Sequence, residues 1–207
     1  AATTHYLPTA RREKTAEEAT AFLAAVVENV AESGARWMAA GFVHGVLNSD
    51  NINITGESCD YGPWRFAPTY DAGFTAAYFD RSGLYAFGRQ PDALATNLMR
   101  LAQSLVPIGD VPALEAALNT YWTQFRARYE RAMLDRLGLI APPGTAVAAL
   151  GALLQFLGDT QAPFEQVLFD LFGAVPERLD TSPLAGLYRE KPFEAVREQL
   201  CALDRLP

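Results

Sequence analysis

Gly41-Phe42-Val43-His44-Gly45-Val46-Leu47-Asn48-Ser49-Asp50-Asn51, followed nine residues later by Asp60-Tyr61-Gly62, decides how the rest of this 207-residue chain is read. Upstream, Phe22, Val26, Val27 and Val30 recur at helical spacing, and Glu17 and Glu18 fall where the positive end of a helix dipole favours anions. A long helix is therefore predicted from Thr15, as its cap, to residue 39 or 40, and its end delivers the Gly41 run. Apolar pieces at 52–54 and just before Asp60 flank Gly56 and predict a small hairpin, the only place where strand is expected. Asn51 and Asp60 then stand on two loops joined by that hairpin. Their amide and carboxylate oxygens suit a hard cation such as magnesium held between phosphate oxygens, so both are predicted metal ligands. Asp50, the carboxylate immediately before Asn51, is the candidate base.

Past Asp60 the chain carries Gly62, Pro63, Pro68, Gly73 and Gly83, with nine aromatics between Tyr61 and Phe87. This reads as a long, packed, irregular segment, and loops of that length inside a domain are usually functional. Its aromatics, with Trp37, Trp64 and Trp122, are expected in the core. Tyr61 is expected to pack under the metal loop, and Cys59 to be a small buried hydrophobe. Asp71 is expected to bond backbone amides of the segment. Arg65, Arg81 and Arg89 share it and could meet phosphate or a protein partner. Helices are predicted over 92–105, 111–137, 145–157, 163–172 and 192–203, with Pro91, Pro112, Pro163 and Pro192 marking starts. Arg126, Arg128, Glu130 and Arg131 read as a solvated helical face with local ion pairs.

Half the residues are hydrophobic and one fifth charged, which suits one sizeable domain with its own core. The formal net charge of −7 and the scatter of Lys and Arg argue against a nucleic-acid partner. An anionic nucleotide would need a metal. No apolar run is long enough for a membrane span, and the first twelve residues lack a signal-peptide core, so a soluble, unprocessed, cytoplasmic bacterial protein without membrane partners is expected. Cys59 and Cys201 lie too far apart for a zinc signature or a disulfide framework and are expected to be reduced.

His44 and Asn51 keep the separation found in the kinase loop H-R-D-x-x-x-x-N, and Asp60-Tyr61-Gly62 resembles D-F-G, but Val46 stands where the kinase base would be. Valine accepts no proton, so ordinary phosphoryl transfer with that base is disfavoured. His44 itself is expected to be structural. Further ordered motifs follow: Tyr70-Asp71-x-Gly73-Phe74, Gly83-x-Tyr85-Ala86-Phe87-x-x-Gln90-Pro91 and Asn97-Leu98-x-Arg100-Leu101-Ala102. Together, over residues 41–105, they resemble the SelO family; the helical remainder fits in general character.

The resemblance implies a mainly α, protein-kinase-like C-lobe with a short β-hairpin carrying the metal loop. It also implies ATP as substrate and transfer of AMP to hydroxyl side chains of proteins. By resemblance Asp50 is the proton acceptor, Asn51 and Asp60 hold magnesium or manganese, and Asp60 approaches the nucleotide phosphates. The family's domain is about twice this length, and its first half supplies a small lobe with a phosphate-contacting lysine and arginines. Upstream of Thr15 no counterpart is found. Residues 1–207 are thus read as a C-lobe with a helical extension and no N-lobe, either a part of a longer protein or the product of a gene that lost that half. Alone, such a chain is expected to transfer poorly. The other reading is a pseudoenzyme that binds proteins through its helical lobe. The family's cysteine pair has no match here: Tyr78 and Phe79 occupy the segment expected to hold one of them, and the chain ends Leu203-Asp204-Arg205-Leu206-Pro207.

Overall fold

A computed structural model describes residues 2–206, and its backbone is mainly helical. A short helix α1 (Ala2–His5) precedes α2 (Thr15–Ala39). Phe22, Leu23, Val26, Val27, Val30, Ala31, Ala35 and Met38 of α2 form the buried stripe that its periodicity predicts. Thr15 is its first helical residue and not its cap: Lys14 takes the cap position without a side-chain bond, and Glu18 in the first turn accepts the Thr3 hydroxyl.

Helices α3 (Gln90–Leu105), α4 (Val111–Asn119) and α5 (Tyr121–Leu137) pack on that stripe. Val43, Leu47, Phe87, Leu94, Leu98, Leu114 and Phe125 complete this first core. Truncating a wholly enclosed residue such as Leu23 to alanine should cost roughly 2–5 kcal/mol. The single helix expected over 111–137 is broken at Thr120. Its hydroxyl donates back to the Ala117 carbonyl at 2.7 Å and accepts Gln124 Nε2 at 2.9 Å, local bonds that compete with a continuous helix.

Helix α5 runs on into a second core with α6 (Val147–Thr160), α7 (Phe164–Leu171), a short α8 (Pro176–Thr181) that the periodicity did not announce, and α9 (Glu194–Cys201). Leu137, Leu153, Phe156, Leu157, Phe164, Val167, Tyr188, Phe193 and Val196 fill it. Glu130 is not on a solvated face. It is buried, and its two oxygens accept the Gly144 and Ala146 backbone N–H groups, both at 2.9 Å. Arg128 and Arg131 pair across to Glu28 and Glu32 of α2, and not along their own helix.

Strand occurs outside the one place where it was expected. Strand β1 (Phe42–Val43) pairs antiparallel with β2 (Arg65–Phe66), and β3 (Leu139–Ile140) with β4 (Asp204–Arg205). The expected hairpin around Gly56 is a turn closed by one bridge, Ile52 with Ser58, not a pair of strands. The middle of the irregular segment is strapped to the second core. Phe164 N–H donates to the Pro68 carbonyl at 3.0 Å, the Thr69 hydroxyl to Gln161 Oε1 at 3.0 Å, and Gln161 Nε2 to the Tyr70 carbonyl at 3.1 Å. Among the described residues no helix is long and apolar enough to cross a membrane.

Candidate active site

The end of α2 sets the site's position. Gly41 turns the chain at φ +64°, and a Cβ there would stand 2.9 Å from Phe164 Cδ1, so the turn needs glycine on both counts. Beyond it His44 is fully enclosed. Its backbone N–H donates to Gln90 Oε1 at 2.9 Å, and Gln90 Nε2 donates to the Phe42 carbonyl at 2.9 Å. Its ring Nδ1 accepts the Val46 N–H at 3.3 Å, which leaves the proton on Nε2, 2.6 Å from Ser58 Oγ; the Ser58 hydroxyl passes the chain of bonds to the Asn51 carbonyl at 2.9 Å. Burial holds the imidazole pKa below its usual value, outweighing the nearby charge of Asp60, which pushes it up. His44 is therefore a neutral brace between the two motif loops.

Residues 47–51 are held from α3. Asn97 Nδ2 donates to the Leu47 carbonyl at 2.9 Å, and Ser49 Oγ donates to Asn97 Oδ1 at 2.9 Å while accepting Arg100 Nη1 at 2.9 Å. The Tyr85 hydroxyl donates to Asn48 Oδ1. Asn51 Nδ2 donates to the Val46 carbonyl at 3.0 Å, which fixes the amide, and among the described residues its Oδ1 accepts no hydrogen bond. Across the turn Asn53 N–H donates to the Glu57 carbonyl at 2.7 Å and Cys59 N–H to the Asn51 carbonyl at 3.0 Å. Gly56 makes the turn at φ +84°, where a Cβ would come within 2.6 Å of the Asn29 carbonyl oxygen. Asn51 and Ser58 spend their side chains on neighbouring carbonyls, which is why the hairpin goes no further as a ladder.

Asp60 thus follows directly on the residue paired with Asn51. The loops also touch further on, where a Cβ at Gly62 would lie 3.2 Å from Val46 Cγ2. Asp50 and Asp60 are exposed, and among the described residues their carboxylate oxygens accept no hydrogen bond; only their backbone carbonyls do, from Cys59 Sγ at 3.4 Å and Ser58 Oγ at 3.4 Å. No three His, Cys, Asp or Glu side chains gather among the described residues. Asn51 and Asp60 offer two oxygen donors, the number that magnesium takes from a protein when phosphate and water complete its shell.

Several expectations need correction here. Cys59 is exposed, as is Cys201, and both thiols are free. Tyr61, Trp64, Phe66 and Tyr78 are 50, 50, 53 and 91 % exposed and not core, and Trp122 is exposed too, whereas Phe87 is buried. Phe42 gathers three of them, with ring centroids 6.0 Å from Tyr61, 6.0 Å from Trp64 and 5.7 Å from Phe66. Asp71 does bond the backbone, accepting Gly73 N–H at 2.8 Å. Ser58, Tyr85, Gln90, Asn97 and Arg100 were given no role from sequence. The fixed spacing of the last four behind the Asp50-Asn51 loop was the available signal.

A protein-family model described as "Protein adenylyltransferase SelO" matches residues 2–192. The protein nucleotidyltransferase YdiU of Synechocystis sp. is 43% identical over 169 residues, covering 79% of this chain and 34% of the relative. Its namesake from Gloeobacter violaceus is 39% identical over 188 residues, 84% of this chain and 39% of the relative. That of Methylorubrum extorquens (strain PA1) is 39% identical over 162 residues, 75% and 33% respectively. The chain spans between 33% and 39% of the length of these curated relatives.

Proposed function

Because the chain belongs to the SelO family of protein adenylyltransferases, we propose that it supplies the metal- and phosphate-facing part of a magnesium- and ATP-dependent transfer of AMP to hydroxyl side chains of proteins. In this reading it is a kinase-like C-lobe, completed in the longer relatives by an N-lobe that grips the triphosphate. Asn51 Oδ1 and the Asp60 carboxylate hold magnesium or manganese, and Asp60 faces the nucleotide phosphates. The ion, when bound, draws phosphate oxygens together and stabilises charge on the leaving group. Asp50 takes the proton from the target hydroxyl as its oxygen bonds to the α-phosphorus; the bond from that phosphorus to the bridging oxygen breaks, and pyrophosphate leaves. Val46 packs on Gly62 and can accept no proton, which separates this chemistry from that of a kinase using that position as its base.

The observation that carries the reading is the commitment of Asn51 Nδ2 to the Val46 carbonyl, while among the described residues its amide oxygen, one backbone pairing away from Asp60, accepts no hydrogen bond. By itself the chain transfers little, since positioning and charge stabilisation of the triphosphate supply most of such catalysis. A second reading, a protein-binding module with a relict site, has the exposed aromatic group around Phe42 in its favour.

Intact-protein mass spectrometry separates the two after incubation with ATP and magnesium. Samples are this chain, a family-length protein containing it, and the Asp60→Ala form of the latter. A mass gain of one AMP in the family-length protein alone is expected. A gain of one phosphate overturns the adenylylation reading, and no gain in any sample favours the binding module.

A further inference from the structure

Beside the Asp50–Asp60 loops lies an open cleft of about 660 Å³ lined by Arg65, Arg81 and Arg89, with Tyr78, Asp80 and Ser82. All three arginines are exposed, and none forms an ion pair among the described residues. Arg89 Nη1 reaches the Ser82 and Gly83 carbonyls at 3.5 and 3.3 Å, contacts that hold its guanidinium at the rim without neutralising it. The one lining carboxylate, Asp80, is turned to its own loop. It accepts Leu84 N–H and Tyr85 N–H, both at 2.8 Å, and the Ser82 hydroxyl at 3.3 Å. Three guanidinium groups against one occupied carboxylate make an electropositive island on a chain of formal net charge −7.

The cleft is joined to the site. Tyr85 donates its N–H to Asp80 on the cleft side and its hydroxyl to Asn48 on the site side. Ala76, in the cleft wall, lies 3.2 Å from where a Cβ on Gly45 would be. The cleft is open, unlike the enclosed pockets that take small molecules, and Tyr78 in its lining is exposed, with the exposed Phe79 ring 5.2 Å from it. Arginine with exposed aromatics is the composition of a protein-recognition surface.

We propose that Arg65, Arg81 and Arg89 form a docking cleft for an acidic stretch of the target polypeptide, its carboxylates or phosphates bound by the guanidinium groups beside the transfer site. The proposal rests on the adenylylation reading for the identity of the occupant, but its test reads peptide binding and needs no transfer of AMP, so the two fail separately. Fluorescence anisotropy of a labelled hexaglutamate peptide is measured with this chain, with Arg65→Glu/Arg81→Glu, with Arg81→Gln and with Asp60→Ala. Binding to the wild type that weakens as salt rises from about 50 to about 500 mM, falls at least about tenfold in the double variant and less in Arg81→Gln, and persists in Asp60→Ala is expected. Thermal melting of each variant reports folding, and Arg81→Gln keeps the test decisive if the charge-reversed protein does not fold. No binding by the wild type, unchanged binding by folded variants, or equal binding of hexalysine would overturn the proposal. So would displacement of the peptide by magnesium ATP that survives Asp60→Ala, because the cleft would then be a nucleotide site.

Discussion

Asp50 and Asp60, in residues 41–90, and Asp170, in residues 139–206, stand in opposite surroundings. In the first region Asp50 and Asp60 stand exposed with no hydrogen bond to either side chain among the described residues. In the second, Asp170 is buried, and its oxygens accept Tyr188 Oη at 2.7 Å, Gln166 Nε2 at 2.8 Å and the Ser182 hydroxyl. Tyr61, Trp64 and Tyr78 of the first region face outward, while Phe156, Tyr188 and Phe193 of the second pack together inside. The buried polar anchor of the helical half is closed on itself and belongs to the scaffold. The loop half keeps oxygen donors, guanidinium groups and rings open to solvent, where they add little to folding and are available to a ligand.

Three substitutions press on that contrast. The largest effect on stability should come from Asp170→Ala, which leaves the Tyr188 and Ser182 hydroxyls short of a buried acceptor; a loss of roughly 3 kcal/mol is expected from urea unfolding. A near-neutral result would mean that the helical half is not held by its buried polar anchor. Next is Gly56→Ala, which puts a side chain at φ +84° against the Asn29 carbonyl. It should cost about 2 kcal/mol and, by shifting the Asn51–Cys59 pairing, weaken nucleotide binding measured by calorimetry on a family-length protein.

The smallest effect concerns pH. Burial lowers the folded-state pKa of His44, so the unfolded ring takes up a proton first as pH falls through its ordinary value near 6.5. Stability from the neutral ring is therefore present above that value and is lost as pH falls toward the lowered one. Between about pH 7.5 and about pH 5.5 the wild type should lose stability that His44→Gln does not lose, read from urea unfolding of both at the two pH values. Parallel pH dependence of the two unfolding curves would remove His44 from the brace.

Much of the scaffold was legible because burial of one helical face writes a 3.6-residue period into the chain, as in Phe22, Val26, Val27 and Val30. The Thr120 break was hidden because a side-chain hydroxyl, not glycine or proline, makes it. Strands β3 and β4 were hidden because two-residue strands paired across more than sixty positions leave no alternation to read. Of the candidate site, what the sequence displays is residue type and spacing alone: Asn51 and Asp60 carry side-chain oxygens nine positions apart. Its supports were not legible: Gln90 and Asn97 act through contacts made about fifty residues away. Which aromatics face water was equally hidden, because hydrophobicity alone does not separate a core ring from a docking ring.

The most direct test of the account is AMP incorporation from ATP labelled at the α-phosphate, counted per folded molecule, for a family-length protein and its Asp60→Ala form. The Asp60 side chain is exposed and accepts no hydrogen bond among the described residues, so the account predicts at least about a hundredfold loss of incorporation with an unchanged melting temperature. Incorporation retained in folded Asp60→Ala would contradict it.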